Sequence, residues 1–205
     1  MAKLKVKKAD TKSVTISQAL NELKLLDKKI TKKVRNGNFI GVQVSGKARH
    51  NFEADSAKAN LQSVNDLIER REMVRGKINA SNQSTKIIVA GKKYTVASAI
   101  VTKDTMNYKA SLLSQLQRDY SNAVSTVDML NEEVQEGLEA QLKGIEDKSK
   151  IADFSKNYMS LRKPELADPN GLKDFIEALE TEIDEFTNEV DYVLSTSNAT
   201  TTIDI

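Results

Sequence analysis

The sequence lacks the residues that most catalytic and metal-binding sites require. Its 205 residues include no cysteine, no tryptophan, one histidine and two prolines. The absence of cysteine excludes disulfides, thiol nucleophiles and thiolate metal sites, and a single histidine excludes a zinc site built on several imidazoles. No apolar run reaches the roughly 18 residues of a membrane-spanning helix, so we expect no membrane segment.

The short motifs of common enzymes are missing as well. Gly91-Lys92 has neither the upstream glycine nor the following Ser or Thr of a phosphate-binding loop, and neither G-x-S-x-G nor H-E-x-x-H occurs. Acidic pairs such as Glu132-Glu133 have helical spacing, and we interpret them as solvated faces rather than acid–base or cation sites. The basic start of the chain has no apolar core, so we expect no secretory signal peptide. We predict a protein that is not an enzyme and that uses no cofactor, metal or small-molecule substrate.

Charge is distributed unevenly along a chain whose net charge is only +2. Residues 1–36 carry eleven Lys or Arg and three Asp or Glu, whereas residues 165–205 carry one Lys and eleven Asp or Glu. Opposite charge at the two ends favours pairing within the chain or between copies. Nucleic acid is the alternative partner, but without interleaved aromatics or a reader motif we expect only weak, non-specific binding. The side chains that would contact its phosphates are Lys5, Lys7, Lys8, Lys28, Lys29, Lys32 and Lys33.

Apolar residues recur every three or four positions in five stretches. This period predicts a mainly α fold, in which long antiparallel helices form a coiled coil or helical bundle with a small β-hairpin and short edge strands. The third stretch keeps nearly heptad spacing and is the longest. The predicted helices cover roughly residues 16–35, 53–80, 97–146, 151–162 and 169–194.

Local signals mark the ends of the first and last helices. Thr15 and Gln18 form a capping-box pattern at the start of the first helix, and Gly37 is suited to a left-handed cap at its end. Asp168-Pro169 is a cap followed by proline in the first turn of the last helix, which we expect to end at Ser195–Asn198.

Three segments, near residues 39–44, 86–96 and 200–205, have the composition of strands. The central one contains Ala90-Gly91 between apolar residues, which predicts a small β-hairpin. An isolated hairpin is only marginally stable, so we expect it to pack on helices or to pair with strands of this chain or another subunit. We therefore predict a flexible basic segment over residues 1–14 and a single elongated helical domain over 15–205.

Residues 81–89 resemble residues 197–205, and each segment follows an amphipathic helix. We interpret the two segments as equivalent helix-to-strand exits whose strands would lie beside each other. The alternative is a paired polar loop site. The side chains singled out as interaction loops or edges are Asn82, Thr85, Ile87, Val89, Tyr94, Asn198 and Thr201.

Four segments carry a resemblance to a known family, namely Ala19–Ile30, Ile78–Thr85, Gly91–Asp104 and Ile183–Thr201. They resemble the septicolysin-like family of small helical proteins from bacteria and phages, some of which are labelled viral A-type inclusion protein. The resemblance implies a helical, oligomeric protein in a phage or mobile-element setting, located in a virion or in the cytoplasm of a bacterial host. It supplies no catalytic residues. Since this sequence has no membrane-inserting segment and no reactive cysteine, we do not expect the cytolytic activity that the family name implies.

These observations predict a non-enzymatic, oligomeric protein that acts by protein–protein packing, as a structural or assembly component of a phage virion. Two alternatives remain: a phage or mobile-element protein that binds and modulates a host protein, and a weak nucleic-acid binder. The assembly seam predicted from the third and last helices consists of Leu113, Tyr120, Val127, Val134, Leu179, Ile183, Phe186 and Val190.

Overall fold

The computed structural model describes residues 12–44, 47–48, 52–144 and 147–205. The helices of this described part are α1 (Ile16–Asn36), α2 (Ala54–Ser84), α3 (Val96–Leu142), α4 (Lys148–Arg162) and α5 (Leu172–Thr200). Its strands are β1 (Ser13–Thr15), β2 (Gln43–Val44), β3 (Lys47–Ala48), β4 (Lys86–Val89), β5 (Lys92–Thr95) and β6 (Thr202–Asp204). The predicted mainly α fold with a small β-hairpin is confirmed.

The chain groups into two compact units. Unit 1 consists of the residues up to Lys103 together with 188–205, and unit 2 consists of 104–187. Because α3 and α5 each contribute residues to both units, the division does not coincide with element boundaries. The single domain over residues 15–205 stays a prediction.

In unit 1, α1 and α2 pack as an antiparallel pair. Glu22 of α1 accepts a hydrogen bond from Arg70 of α2 at 2.8 Å, and Asp27 accepts one from Arg71 at 2.5 Å. Between the helices and the β1–β6 sheet lies an apolar core, in which each large side chain contributes roughly 1.5–3 kcal/mol by its burial. The buried members of this core are Val14, Ile16, Ala19, Leu23, Val74, Ile78 and Ile205.

The strands form three separate antiparallel pairs, β1 with β6, β2 with β3 and β4 with β5. The β4–β5 hairpin confirms the turn predicted at Ala90-Gly91, and both turn residues have positive φ, 49° and 70°. This is the geometry of a two-residue type I′ turn. Since β4 and β6 belong to different sheets, the expectation that these two strands lie beside each other is wrong.

Several predicted boundaries need correction. A flexible segment was predicted over residues 1–14, of which residues 1–11 lie outside the described part of the chain. Ser13 and Val14 are not flexible as predicted but belong to β1. The strand predicted at 39–44 begins only at Gln43. Gly37 has an extended backbone (φ −73°) rather than a left-handed one, and a Cβ at this position would overlap the ring of Phe39.

The last helix also continues past its predicted end. α5 runs to Thr200 although its last turns are rich in serine and threonine, whose hydroxyl groups can bond to carbonyl oxygens one turn earlier in the helix. Thr200, for example, donates to the carbonyl of Thr196 at 2.9 Å. At the other end, α5 begins at Leu172, so Pro169 is not in its first turn as predicted. The carboxylate of Asp168 nevertheless accepts a hydrogen bond from the N–H of Leu172 at 2.6 Å.

Unit 2 contains most of α3, all of α4 and the first part of α5. Lys109 of α3 donates to Glu182 of α5 at 2.6 Å, and Leu112 and Leu116, further along α3, lie beside the start of α5. The two helices are therefore antiparallel. On α4, Tyr158 packs against α3 so closely that a Cβ at Gly137 would lie 2.6 Å from the Tyr158 hydroxyl. Arg162 lies over the same tyrosine ring, 4.7 Å from its centre.

Candidate functional site

Unit 2 contains an apolar groove between α3 and the start of α5. Leu112 and Leu116 of α3 line one side, and Leu172 and Phe175 of α5 line the other, with Asn170 at the rim. Two of these side chains are strongly exposed, Leu112 at 46% and Phe175 at 48%. Large apolar side chains gathered around a groove are typical of surfaces that bind another protein.

Tyr108 extends this apolar surface along α3. It lies one turn before Leu112 and is 79% exposed. Tyr108, Leu112 and Leu116 are spaced four residues apart and therefore share one face of the helix. We call these three residues together with Leu172 and Phe175 the apolar groove. Tyr108 and Leu112 lie outside the heptad positions of α3, from which the assembly seam was predicted, but their i, i+4, i+8 spacing with Leu116 is a sequence signal for this face.

The residues of the predicted assembly seam take different positions in the structure. Leu179 and Phe186 of α5 are buried in unit 2, and Val190 is buried in unit 1. Since Lys109 of α3 pairs with Glu182 of the antiparallel α5, Leu113 lies at about the same height along the helix pair as Leu179. The remaining predicted seam residues, all half-buried, are Tyr120, Val127, Val134 and Ile183.

The far half of the seam lies beside a different helix. The same alignment places Tyr120 near Leu172, the first residue of α5. The part of α3 that follows Tyr120 therefore has no part of α5 beside it. There α3 lies beside α4, as the 4.0 Å contact between the side-chain amide of Gln135 and the sulfur of Met159 indicates. Within one chain, Val127 and Val134 therefore do not lie beside α5. A seam between chains stays a prediction.

The predicted anion-contacting lysines of α1 are brought together in unit 1. Lys29, Lys32 and Lys33 line an open groove between the end of α1 and α2, and Lys28 lines the neighbouring depression with Lys32. The side chain of Lys33 donates to the hydroxyl of Ser63 across the groove. Lys5, Lys7 and Lys8 lie outside the described residues. Lys29, Lys32 and Lys33, which line what we call the lysine groove, create a local excess of positive charge.

The predicted interaction edges contribute to packing within the chain. Ile87 and Val89 are buried, and Tyr94 is half-buried. Asn82 and Asn198 lie in the last turns of α2 and α5 and are half-buried. Because β4 pairs with β5 and β6 pairs with β1, these strands are already partnered inside unit 1.

The two predicted exit loops have closely similar geometry. The N–H of Thr85 donates to the carbonyl of Ser81 at 2.8 Å, and the N–H of Thr201 donates to that of Ser197 at 2.9 Å. Both threonines therefore close the last turn of a helix directly before a strand. This geometry agrees with the interpretation as equivalent helix-to-strand exits rather than with a paired polar site.

Within the described part, no three acidic or histidine side chains are placed to hold a metal ion together. None of the described helices has the length and apolar character needed to cross a membrane. The same residues contain no buried polar or charged side chain. The features of the described surface that remain as functional candidates are the apolar groove and the lysine groove.

The chain matches no family model, no curated protein and no solved structure. The resemblance to the septicolysin-like family therefore stays a prediction, and the functional conclusion depends on the surfaces described above.

Proposed function

We propose that this protein is a non-enzymatic helical protein that assembles with copies of itself through its apolar groove. The single observation that carries the proposal is the exposure of large apolar side chains around the groove. Burying one such side chain contributes roughly 1.5–3 kcal/mol, so a few of them stabilise an interface substantially.

A second copy of the chain is the occupant that the charge distribution favours. Lys28, Lys29 and Lys32 of α1 are exposed, as are Glu177 and Glu180 of α5. Basic and acidic surfaces on one polypeptide are complementary between two copies, so they favour association and fix its orientation. Closed assemblies of identical chains are also the commonest form of soluble oligomer.

A non-enzymatic role fits the chemistry available to the chain. Thiol chemistry and sites built on several histidines are excluded by composition. The remaining candidates for acid–base groups are carboxylates at helical spacing on solvent-facing surfaces. The setting that we propose for the assembly, a phage particle or its assembly intermediate, rests on the family resemblance alone.

A second candidate function is weak binding of nucleic acid, and the lysine groove is the observation that favours it. Lys29, Lys32 and Lys33 converge there with Asn60 and Ser63, which can donate hydrogen bonds to phosphate oxygens. Such binding would be non-specific and would weaken steeply as salt increases. Titration of a labelled single-stranded oligonucleotide at low and moderate salt tests it, and undetectable binding at low salt contradicts it.

Substitution in the groove tests the assembly function. We expect Phe175→Asp to lower the mass measured by analytical ultracentrifugation, because a charge there cannot be buried without a partner. Leu61→Asp is the matched control, since Leu61 is a similarly exposed apolar residue (53%) of α2 in unit 1. Circular dichroism should show unchanged helicity for both variants. Equal masses for the wild type and both variants contradict the assignment to the groove. A host protein bound in purified preparations would favour the alternative of a protein that binds and modulates a host protein.

A further inference from the structure

Two places in unit 1 have the same local architecture. At one of them α2 ends at Ser84, and Thr85 leads into β4, which pairs with the strand at the start of α3. At the other α5 ends at Thr200, and Thr201 leads into β6, which pairs with the strand at the start of α1. Both places thus combine a helix end, two antiparallel strands and a helix start.

The backbone hydrogen bonds at the two places also correspond. In addition to closing the helix before it, each threonine accepts a hydrogen bond through its own carbonyl oxygen. The donor is the N–H of the first residue of the helix that follows the paired strand, Val96 for Thr85 at 3.0 Å and Ile16 for Thr201 at 2.9 Å. At both places, the backbone of the threonine therefore connects the end of one helix to the start of another.

The two helix starts have the same reciprocal cap. The hydroxyl of Thr15 accepts from the N–H of Gln18 at 3.2 Å, and the Gln18 side chain accepts from the N–H of Thr15 at 3.1 Å. The hydroxyl of Thr95 accepts from the N–H of Ser98 at 3.0 Å, and the Ser98 hydroxyl accepts from the N–H of Thr95 at 2.9 Å. The aligned sequences are Val14-Thr15-Ile16-Ser17-Gln18-Ala19-Leu20 and Tyr94-Thr95-Val96-Ala97-Ser98-Ala99-Ile100.

Burial follows the same correspondence. Four pairs of matched apolar positions are almost completely buried in both places, with exposures between 0 and 6%. The pairs are Ile16 with Val96, Ala19 with Ala99, Val74 with Val190, and Ile205 with Val89. Agreement in hydrogen bonds, caps and burial together is not expected of unrelated segments.

The order of the elements explains the correspondence. Residues 12–89 run through β1, α1, α2 and β4, with the β2–β3 pair as an addition between the helices. Residues 92–205 run through β5, α3, α5 and β6, with α4 as an addition between the helices. Each half therefore begins with a strand and a helix and ends with a helix and a strand. The two sheets β1–β6 and β4–β5 each take one strand from each half.

We infer that the chain consists of two copies of one strand–helix–helix–strand element, interleaved by exchange of their end strands, and that a second copy of the chain can donate one half in place of the chain's own. The binding surface of each half is its two end strands with the adjoining helix ends. Its partner is the complementary half, from the same chain or from another. The inference goes beyond the proposed function, because it concerns the sheets of unit 1 and does not require the apolar groove.

The β1–β6 sheet shows that this pairing needs no connecting turn. Lys12 and Ile205 exchange two backbone hydrogen bonds, at 2.9 and 3.0 Å, although they are far apart in sequence. Val89 and Lys92 are paired at the corresponding position in the other sheet and differ only in being joined by Ala90-Gly91. Covalent continuity at the turn is therefore not what holds the strands together.

The turn itself carries a conformational cost, although the N–H of Ala90 donates a hydrogen bond to the carboxylate of Glu189 at 2.7 Å. Ala90 has a φ of 49°, a conformation that costs a non-glycine residue about 1 kcal/mol or more. Short loops under strain favour exchange of identical elements between chains. If the turn extends, β4 pairs with β5 of a second chain and β1 pairs with its β6, so the interleaved strand pairs are all retained.

Deletion of Ala90 and Gly91 in the full-length chain tests the inference. Without the turn, β4 cannot fold back on β5 of the same chain, so the halves must pair with those of another chain. We expect light scattering to give twice the wild-type mass under the same conditions, with unchanged helicity per residue. The control is Ala90→Asn, which favours the closed turn and should keep the wild-type mass.

Two outcomes overturn the inference, namely a deletion variant that keeps the wild-type mass and one that loses its helical signal. A second measurement uses a protease site inserted between Ala90 and Gly91 of the full chain. After cleavage, we expect both fragments to co-elute with unchanged helicity, and separation of the fragments at micromolar concentration overturns the inference. A wild type that is monomeric at all concentrations contradicts the proposed function. Both experiments still test the inference in that case, because each compares a variant with the wild type.

Discussion

The two reciprocal caps allow a quantitative test of the internal repeat. Thr15→Ala and Thr95→Ala each remove the hydroxyl that accepts the N–H of the third residue of a helix. Both caps also connect a strand to a helix whose first residue is almost completely buried. If the two places are structurally equivalent, the two substitutions should destabilise the protein by similar amounts.

The magnitude follows from the loss of one capping hydrogen bond. Replacing threonine by alanine at such a position costs about 1 kcal/mol, within a range of about 0.5–2 kcal/mol. For a chain of this size, 1 kcal/mol corresponds to a decrease in Tm of roughly 2–4 °C. We therefore expect each variant to melt a few degrees below the wild type when unfolding is followed by circular dichroism.

Thr15→Ser and Thr95→Ser are the matched controls, because serine retains the hydroxyl that accepts the hydrogen bond. Both serine variants should melt close to the wild type. The reasoning is refuted if one alanine variant is as stable as the wild type while the other loses more than about 2 kcal/mol, since equivalent caps cannot differ so strongly.

Four further substitutions probe the β4–β5 turn, the packing near these caps and the pairing of α3 with α5. Ala90→Asn should raise stability to urea by up to about 1 kcal/mol, because asparagine tolerates the positive φ of the turn, and a loss of stability contradicts this. Val74→Ala and Val190→Ala should each cost about 2 kcal/mol in the same assay, and a neutral result at either position contradicts its full burial. Lys109→Met should change stability by less than about 1 kcal/mol, because its pair with Glu182 is partly exposed, and a larger loss contradicts the expected weakness of the pair.

Local signals in the sequence were sufficient for the helices and their starts. The capping box of Thr15 and Gln18 is present as predicted, because it depends only on residues within one turn. The hairpin at Ala90-Gly91 was also predictable, since two-residue turns have a strong sequence signature. Thr95 and Ser98 form the same kind of cap, but serine in place of Gln18 obscured the pattern.

Features that depend on distant contacts could not be read from the sequence. The pairing of β1 with β6 joins a three-residue strand near one end of the chain to one near the other, and no local pattern specifies this. Gly37 is extended rather than left-handed, and the ring of Phe39 leaves no room for a Cβ at this position. The similarity of residues 81–89 and 197–205 was visible, but its structural meaning required the strands with which they pair.

The candidate site was only partly predictable for a similar reason. The clustering of Lys29, Lys32 and Lys33 follows from helical spacing, whereas their convergence with Ser63 requires the packing of α2 against α1. The apolar groove requires both α3 and the start of α5, so its two sides are more than fifty residues apart in sequence. Periodicity identified the apolar faces of these helices but not which of them remained uncovered.

The absolute mass of the wild-type protein in solution tests the proposed self-assembly most directly. Size-exclusion chromatography with light scattering, at moderate salt and over a wide range of concentrations, measures it without labels or a known partner. Self-assembly predicts one discrete multiple of 22.8 kDa that persists on dilution. A mass of 22.8 kDa at every concentration contradicts it.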